Sequence, residues 1–305
     1  MAAFFKLSSV RQLDRERIFG GDPIAPTFRS ANNNYKGEAL IYLLVRMENF
    51  MRGLRGKVVV VTGGGGGIGT AACQRFAEEG AKVAVFDING DAAKRAAAQI
   101  TAAGGRAEAF ACDITDYAGC QSAVRGAEVA LGPVDVLVNN AGWDVFKTFT
   151  ETSPADWQKI IGINLTGPLN MHHVVLPGMA ERKRGRVVNV SSDAARVGSS
   201  GEGVYAACKA GLIGFSKTLA REHARHNISV NVVCPGIVNT QLYADYKKGA
   251  RNPEKLDDAF RRAIPLGRLG EPADLPGIIC FLASDDAAYI TGQVISVSGG
   301  LTMAG

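Results

Sequence analysis

The sequence predicts an α/β protein: a Rossmann-type, doubly wound, seven-stranded parallel sheet with helices on both faces, in a single domain. Three observations predict it. Val58-Val59-Val60-Val61 is an unbroken β-branched run, the mark of a strand covered on both faces. The glycine-rich stretch Thr62-Gly63-Gly64-Gly65-Gly66-Gly67-Ile68-Gly69 follows at once and opens a helix. From there to the end of the chain, strand-like and helix-like segments alternate.

After the first strand, the spacing predicts a helix over 68–79 that stops at Gly80, then a strand over 82–87 (KVAVFD). An Ala-rich helix over 91–103 follows, with Asp91 expected as its N-cap and Gly104-Gly105 as its stop. Further strands are expected at 107–112, 134–138, 186–190, 229–233 and 293–297, with helices between most of them. The domain is expected to span 54–305. Residues 1–53, with Gly20-Gly21, Pro23, Pro26 and Asn32-Asn33-Asn34, read as a poorly ordered extension. A start at Met47 or Met51, or an extension that docks on the body or a partner, would each account for it. Asp14, Glu16 and Asp22 do not suit a targeting peptide.

Composition narrows the function. A net charge of +5 with scattered basic residues offers no nucleic-acid stripe, and 47% apolar residues suffice for a sizeable core. The six cysteines form no CxxC pair, so they read as reduced and buried, which fits the cytoplasm. His172, His173, His223 and His226 read as solvated helix residues, and no metal site is expected. No apolar run reaches the roughly 18 residues of a membrane span.

Chemistry is legible at two places. The glycine turn lets backbone approach a pyrophosphate, which the following helix N-terminus favours. Asp87 ends the second strand, 18 residues beyond Gly69, where a carboxylate can take both adenosine ribose hydroxyls and repel a 2′-phosphate. With no Arg or Lys at 63–67, NAD is expected rather than NADP. Asp113, before Ile114, is placed either to reach an adenine edge or to cap a helix. Asn139-Asn140-Ala141-Gly142 closes the fourth strand with small and amide residues suited to a cofactor passing close to backbone. At the second place, Tyr205 and Lys209 lie four apart on a predicted helix and share a face. A phenol is a poor base at neutral pH, and a neighbouring ammonium would lower its pKa. Ser192 stands 13 residues upstream at a strand end, with Ser191 as its rival, and Asn164 lies earlier, in Ile163-Asn164-Leu165.

The ordered set TGGGGGIG, NNAG, Asn164, Ser192, YAACK and Pro235-Gly236 resembles the short-chain dehydrogenase/reductase family across residues 54 to 305. The resemblance implies roles for the matching residues. Tyr205 would exchange a proton with the substrate oxygen, and Ser192 would polarise that oxygen. Lys209 would lower the tyrosine pKa and hold the nicotinamide ribose, while Asn164 would hold a relay water. Gly63, Gly67, Ile68, Gly69, Asp87, Asp113, Ile114, Asn140, Ala141 and Gly142 would line the cofactor, with Pro235, Gly236, Val238 and Thr240 at its carboxamide. The C-terminal stretch from Tyr289 to Gly300 resembles the family's subunit contacts, which implies a homotetramer.

A narrower resemblance rests on AGWDVF, HHVVLPGMAER, SSDAARVGSSGE, LAREHARH, NVVCPG and SVSGGLTM. These segments are similar to dehydrogenases that oxidise a ring β-hydroxyacyl-CoA with NAD, so the expected small-molecule partner is a CoA thioester. Trp143 would then wall a saturated ring, or else simply pack. Arg196, Lys147, Lys247, Lys248 and Arg251 could meet CoA phosphates, and a substrate lid is expected over 239–265. The sequence departs from the family in its first fifty residues and in Ile237-Val238-Asn239 at the lid entrance. The rival readings are a 3-oxoacyl-thioester reductase for linear chains, usually NADP-dependent, and a non-catalytic NAD-binding regulator.

Overall fold

Strand β1 (Val58–Thr62) is buried along its whole length, and its side chains alternate between two cores. Val59 and Val61 enter one hydrophobic cluster, Val58 and Val60 the other, as the two-residue period of a strand requires. The computed structural model describes residues 51–249 and 252–304. The expected extension as far as residue 50 lies outside the described residues, as does Arg251.

The elements follow in the order α1 (Gly67–Glu78), β2 (Lys82–Asp87), α2 (Gly90–Ala102), β3 (Arg106–Ala111), α3 (Tyr117–Leu131) and β4 (Val134–Asn139). Then come α4 (Pro154–Ile161), α5 (Gly167–Glu181), β5 (Gly185–Val190), the one-turn α6 (Ala194–Val197), α7 (Gly203–His223) and β6 (Ile228–Pro235). The chain continues through α8 (Gln241–Gly249), α9 (Pro253–Ala263), α10 (Pro276–Ala283) and β7 (Val294–Val297). All seven strands pair in parallel, in the order β3-β2-β1-β4-β5-β6-β7. The order reverses between β1 and β4, and an open parallel sheet of this kind forms a crevice beyond the carboxyl ends of those strands. One core packs α1, α2 and α10 against the sheet through Phe76, Ile100 and Ile279. The other packs α3, α5 and α7 through Val124, Met171 and Leu219.

Three expectations need correction. The cap of α2 is Asn89, whose side chain accepts from the Ala92 N–H at 3.1 Å, so Asp91 sits inside the first turn instead. Met51, Arg52 and Gly53 belong to the packed body, three residues ahead of the expected boundary at residue 54. The Met51 N–H donates to Glu79 at 2.7 Å, and Arg52 pairs with Asp286. Gly53 has φ +81°, and a Cβ there would lie 2.1 Å from an Asp285 oxygen.

The third concerns His172, which is buried rather than solvated. Its Nδ1 donates to the Pro168 carbonyl at 2.6 Å, and its Nε2 accepts from Asn189 at 3.2 Å. Asn189 also donates to Ser216 and accepts from Asn139, so one hydrogen-bonded chain links the polar groups enclosed between β4, β5, α5 and α7, and among the described residues only the Asn139 Oδ1 of this group is left without a partner. Burial pushes the His172 pKa down to about 4. The unfolded chain therefore takes up a proton near pH 6.5 that the folded chain refuses until about pH 4. Stability is lost as pH falls through that window, by up to roughly 3 kcal/mol from this group. Urea unfolding from pH 7 down to pH 4 should show a shallower fall for His172→Gln than for the parent chain.

Candidate active site

The glycine turn between β1 and α1 is tight because nothing larger fits. Gly63 has φ +64°, a conformation that L side chains rarely adopt. A Cβ on Gly69 would lie 2.0 Å from the Gly63 carbonyl, and one on Gly65 would lie 2.7 Å from Ala92. The backbone is thus bare at the start of α1, where unpaired N–H groups and the helix dipole suit a pyrophosphate. Asp87, at the end of β2, accepts from the Gly65 N–H at 3.0 Å and from the Asn89 N–H at 2.9 Å. Its carboxylate is therefore fixed beside the turn. These residues fit a dinucleotide.

The neighbouring strand end is tied to the same turn. Thr62 Oγ1 accepts from the N–H groups of Asn140 and Ala141 at 3.0 and 3.1 Å. The Asn140 amide in turn donates to the carbonyls of Thr62 and Gly63. Gly142 stands between two catalytic candidates: a Cβ there would be 3.1 Å from Asn164 Oδ1 and 3.5 Å from Lys209 Nζ. Asp113 is exposed and accepts from the backbone and hydroxyl of Thr115, while Asp116 caps α3. Ile114 is buried and abuts Gly167 at the start of α5.

Asn164 lies in a five-residue π turn, Gly162–Thr166, between α4 and α5. It is wholly buried; its amide donates to the carbonyls of Trp143 at 2.6 Å and Ile160 at 2.9 Å. Single π turns inside helices concentrate at functional sites, and nothing in the residue pattern announces this one.

Tyr205 and Lys209 face the crevice from one side of α7, both buried. Lys209, 2% exposed, donates to the Val190 carbonyl at 3.0 Å, and its Nζ stands 5.5 Å from the Tyr205 ring centre. Burial pushes its pKa down to about 8. The expectation that Lys209 lowers the phenol pKa meets a different balance here. Burial is the largest influence on Tyr205 and pushes its pKa up, and Glu202 adds to the rise. The group acting downward is the Ser192 hydroxyl. Ser191 lines the same cleft, but its hydroxyl is occupied, donating to the Lys209 carbonyl at 3.0 Å.

One cleft of about 470 Å³ brings Ile68, Asn140, Gly142, Ser192, Tyr205 and Lys209 together with Pro235, Gly236, Val238 and Thr240. The remaining predicted residues, Gly63, Gly67, Gly69, Asp87, Asp113, Ile114, Ala141 and Asn164, lie outside its lining. The far wall is apolar: Phe146, Val197, Leu242, Tyr246, Phe260 and Leu301. Phe146 and Tyr246 meet across it with ring centres 4.1 Å apart. The sequence pointed to the segment 239–265 as lining the site but not to these aromatics, because they are spread over helices α8 and α9 and a loop. The only signal was the Tyr243/Tyr246/Phe260 spacing.

Trp143 is not part of the wall. It packs with Ile160 and Leu165, and the Lys159 ammonium sits 3.7 Å from its ring centre. The proposed phosphate-binding cations also have partners of their own. Lys147 pairs with Asp156, Lys247 with Asp257 and Lys248 with Asp245. Arg196 is held by Ser296 and the Ala304 carbonyl.

A dinucleotide cradle opening onto a Tyr/Lys/Ser group defines a nicotinamide-dependent oxidoreductase that acts on hydroxyl or keto groups. The chain belongs to the short-chain dehydrogenase/reductase family. The family pattern described as enoyl-(acyl carrier protein) reductase matches residues 62–302. An acetoacetyl-CoA reductase of Shinella zoogloeoides is 42% identical over 246 residues, 80% of this chain and 98% of the relative. A (2S)-[(R)-hydroxy(phenyl)methyl]succinyl-CoA dehydrogenase subunit of Thauera aromatica is 36% identical over 251 residues, 82% of this chain and 98% of the relative. The crystal structure of a levodione reductase superposes with a TM-score of 0.78 at 31% identity, covering 81% of this chain and 97% of that one. No helix among the described residues is long and apolar enough to cross a membrane.

Substituting Gly69→Ala should displace the turn and weaken dinucleotide binding, by about tenfold or more, since a shift costing ~1.4 kcal/mol suffices. Fluorescence titration with NADH measures it.

Proposed function

We propose that the protein oxidises a secondary alcohol to a ketone with NAD, and that its substrate is a compact ring β-hydroxyacyl-CoA, 2-hydroxycyclohexanecarboxyl-CoA, giving the 2-oxo thioester. The observation that carries this reading is the cleft itself: Tyr205 and Ser192 stand at one end of an apolar chamber closed by Phe146, Tyr246 and Phe260. The apolar wall of such a chamber suits a saturated ring by area burial.

Ser192 would donate a hydrogen bond to the substrate oxygen and fix its distance from Tyr205. Tyr205, as phenolate, would take the hydroxyl proton, and Lys209 would stabilise that phenolate and hold the nicotinamide ribose. Asn164, 0% exposed beside Gly142, would anchor the water through which the proton leaves. Pro235, Gly236, Val238 and Thr240 would hold the nicotinamide, which would supply the hydride acceptor. Asp87 favours NAD because a 2′-phosphate would face its fixed carboxylate. The thioester reading draws support from the names of the two relatives, both of which act on CoA esters.

A second reading, reduction of a 3-oxoacyl thioester, is favoured by the acetoacetyl-CoA reductase relative. Assays in both directions separate the two. NADH formation from 2-hydroxycyclohexanecarboxyl-CoA, exceeding turnover of linear 3-hydroxyacyl-CoA, supports the ring reading. Faster NADPH-dependent reduction of acetoacetyl-CoA would replace it.

Replacing Tyr205 by Phe should lower kcat by about 10²–10⁴ with dinucleotide affinity preserved. In Asp87→Ser the preference for NAD over NADP should fall by roughly tenfold or more, read as the ratio of kcat/KM values.

A further inference from the structure

The segment that follows β7 forms part of the cleft wall: Leu301 and Thr302 both line the chamber. Leu301 packs with Tyr246 and Phe260 against the buried cluster of Tyr243, Ile264 and Leu269. The apolar wall thus has one foot in α8 and α9 and the other beyond β7. Two consecutive left-handed glycines make this close approach possible, Gly299 at φ +63° and Gly300 at φ +89°. A Cβ would lie 2.8 Å from Ile264 on the first and 3.0 Å from Pro265 on the second. The Leu266 N–H donates to the Gly299 carbonyl at 3.1 Å, and the Thr302 N–H donates to the Ser298 hydroxyl at 3.2 Å.

The same segment is held from the other side by Arg196, which stands four residues after Ser192 on the one-turn helix α6. Its guanidinium donates to Ser296 Oγ of β7 at 2.7 Å and, with a second nitrogen, to the Ala304 carbonyl. Ser296 in turn donates to Asp193. Both acceptors of the arginine are neutral, so its planar fork is spent on holding two pieces of chain in register rather than on meeting a charge. We propose that Arg196 is a clasp that fastens residues 298–304 as a closing wall of the substrate chamber, and that Leu301, seated by it, determines which acyl groups fit. Arg196 is a positioning residue: it acts through the segment it holds. The proposal rests on the reading of this cleft as an acyl-thioester site.

With the clasp closed, Leu301 stays against Tyr246 and Phe260, and a compact ring is enclosed on that side. Once it opens, Leu301 and the two aromatics lose a shared support. The chamber then widens for longer acyl chains and holds a ring less well. The catalytic candidates have fastenings of their own. Lys209 is anchored at the Val190 carbonyl, and the strand end bearing Ser192 keeps the backbone bonds of Ser191 to Val233 and of Asp193 to Pro235. Opening the clasp therefore acts on substrate fit before it acts on proton transfer.

The test compares the parent, Arg196→Ala, Arg196→Lys and Leu301→Ala in the full chain, by two readouts. The first is amide hydrogen exchange without substrate. In Arg196→Ala the amides of Leu301 and Thr302 should exchange about tenfold faster, as loss of a hydrogen bond from a charged donor gives, while α7 stays as protected as in the parent. The second is NAD-dependent oxidation of 2-hydroxycyclohexanecarboxyl-CoA, of its N-acetylcysteamine thioester and of linear 3-hydroxyhexanoyl-CoA. Arg196→Ala and Leu301→Ala should each raise KM for both ring thioesters by about fivefold or more, with a smaller change in kcat and no such rise for the linear chain. Arg196→Lys, which keeps one donor in reach, should recover part of the loss. A loss confined to the CoA esters would mean that Arg196 meets a phosphate, and would overturn the proposal. Unchanged exchange at Leu301 and Thr302, or an equal rise in KM for ring and linear substrates, overturns it as well. Should Arg196→Ala fail to fold, the exchange of Arg196→Lys and the KM ratio of Leu301→Ala decide the matter. A parent that turns over none of these thioesters would overturn the reading of the cleft, and the selectivity of Leu301 with it, whereas the exchange would still decide the clasp.

Discussion

The site depends on how closely the carboxyl ends of β1 and β4 are bound together. Thr62 alone makes three of the bonds: its hydroxyl takes two N–H groups from Asn140 and Ala141, and its carbonyl takes the Asn140 side-chain amide. These strands flank the reversal of strand order, where their connections leave on opposite faces and a crevice is unavoidable. Closing its floor with side-chain-to-backbone hydrogen bonds brings the glycine turn and the NNAG segment to one place. The cofactor surface and the catalytic surface can then meet at Gly142, which touches neither chemistry itself but leaves room for Asn164 and Lys209.

Much of this was legible in the chain. The β-branched run of β1 and the glycines after it are local signals, and each carries its own physical reason for a buried strand or a bare turn. The Tyr205/Lys209 pair needs only helical spacing. What escaped reading depends on tertiary context. His172 looks like a surface residue because His173 beside it is one; only packing of α5 against β4 and β5 encloses it with Asn139 and Asn189. Trp143 lies next to the site in sequence, but its ring packs with Ile160 under Lys159 and leaves Phe146 to face the cleft. The cap of α2 moved by two residues because Asn89 and Asp91 are equally good cap types, and the turn after Asp87 decides between them.

Electrostatics in the cleft follow from burial more than from pairing. Tyr205, Lys209 and Asp144 are each driven toward their neutral forms by loss of water, phenol and carboxyl upward, ammonium downward. A low-dielectric site of this kind magnifies any charge that enters it. The Ser192 hydroxyl acts in that setting against the rise, lowering the Tyr205 pKa.

The π turn at Gly162–Thr166 makes the site depend on residue count as well as residue type. Its Gly167 N–H reaches back to Gly162 rather than to the residue a regular helix would use, so one extra residue is accommodated between α4 and α5. Deleting a single residue there would close the wide turn into regular helix, with the faces of α4 and α5 kept and the residues of the turn itself displaced. Asn164 would lose the place beside Gly142 that the wide turn gives it, while Met171 and Val175 stayed in their core. Within this stretch the length of the chain is under tighter constraint than most of its side chains, and the descent of such a sequence would be expected to tolerate exchanges where it rejects gaps.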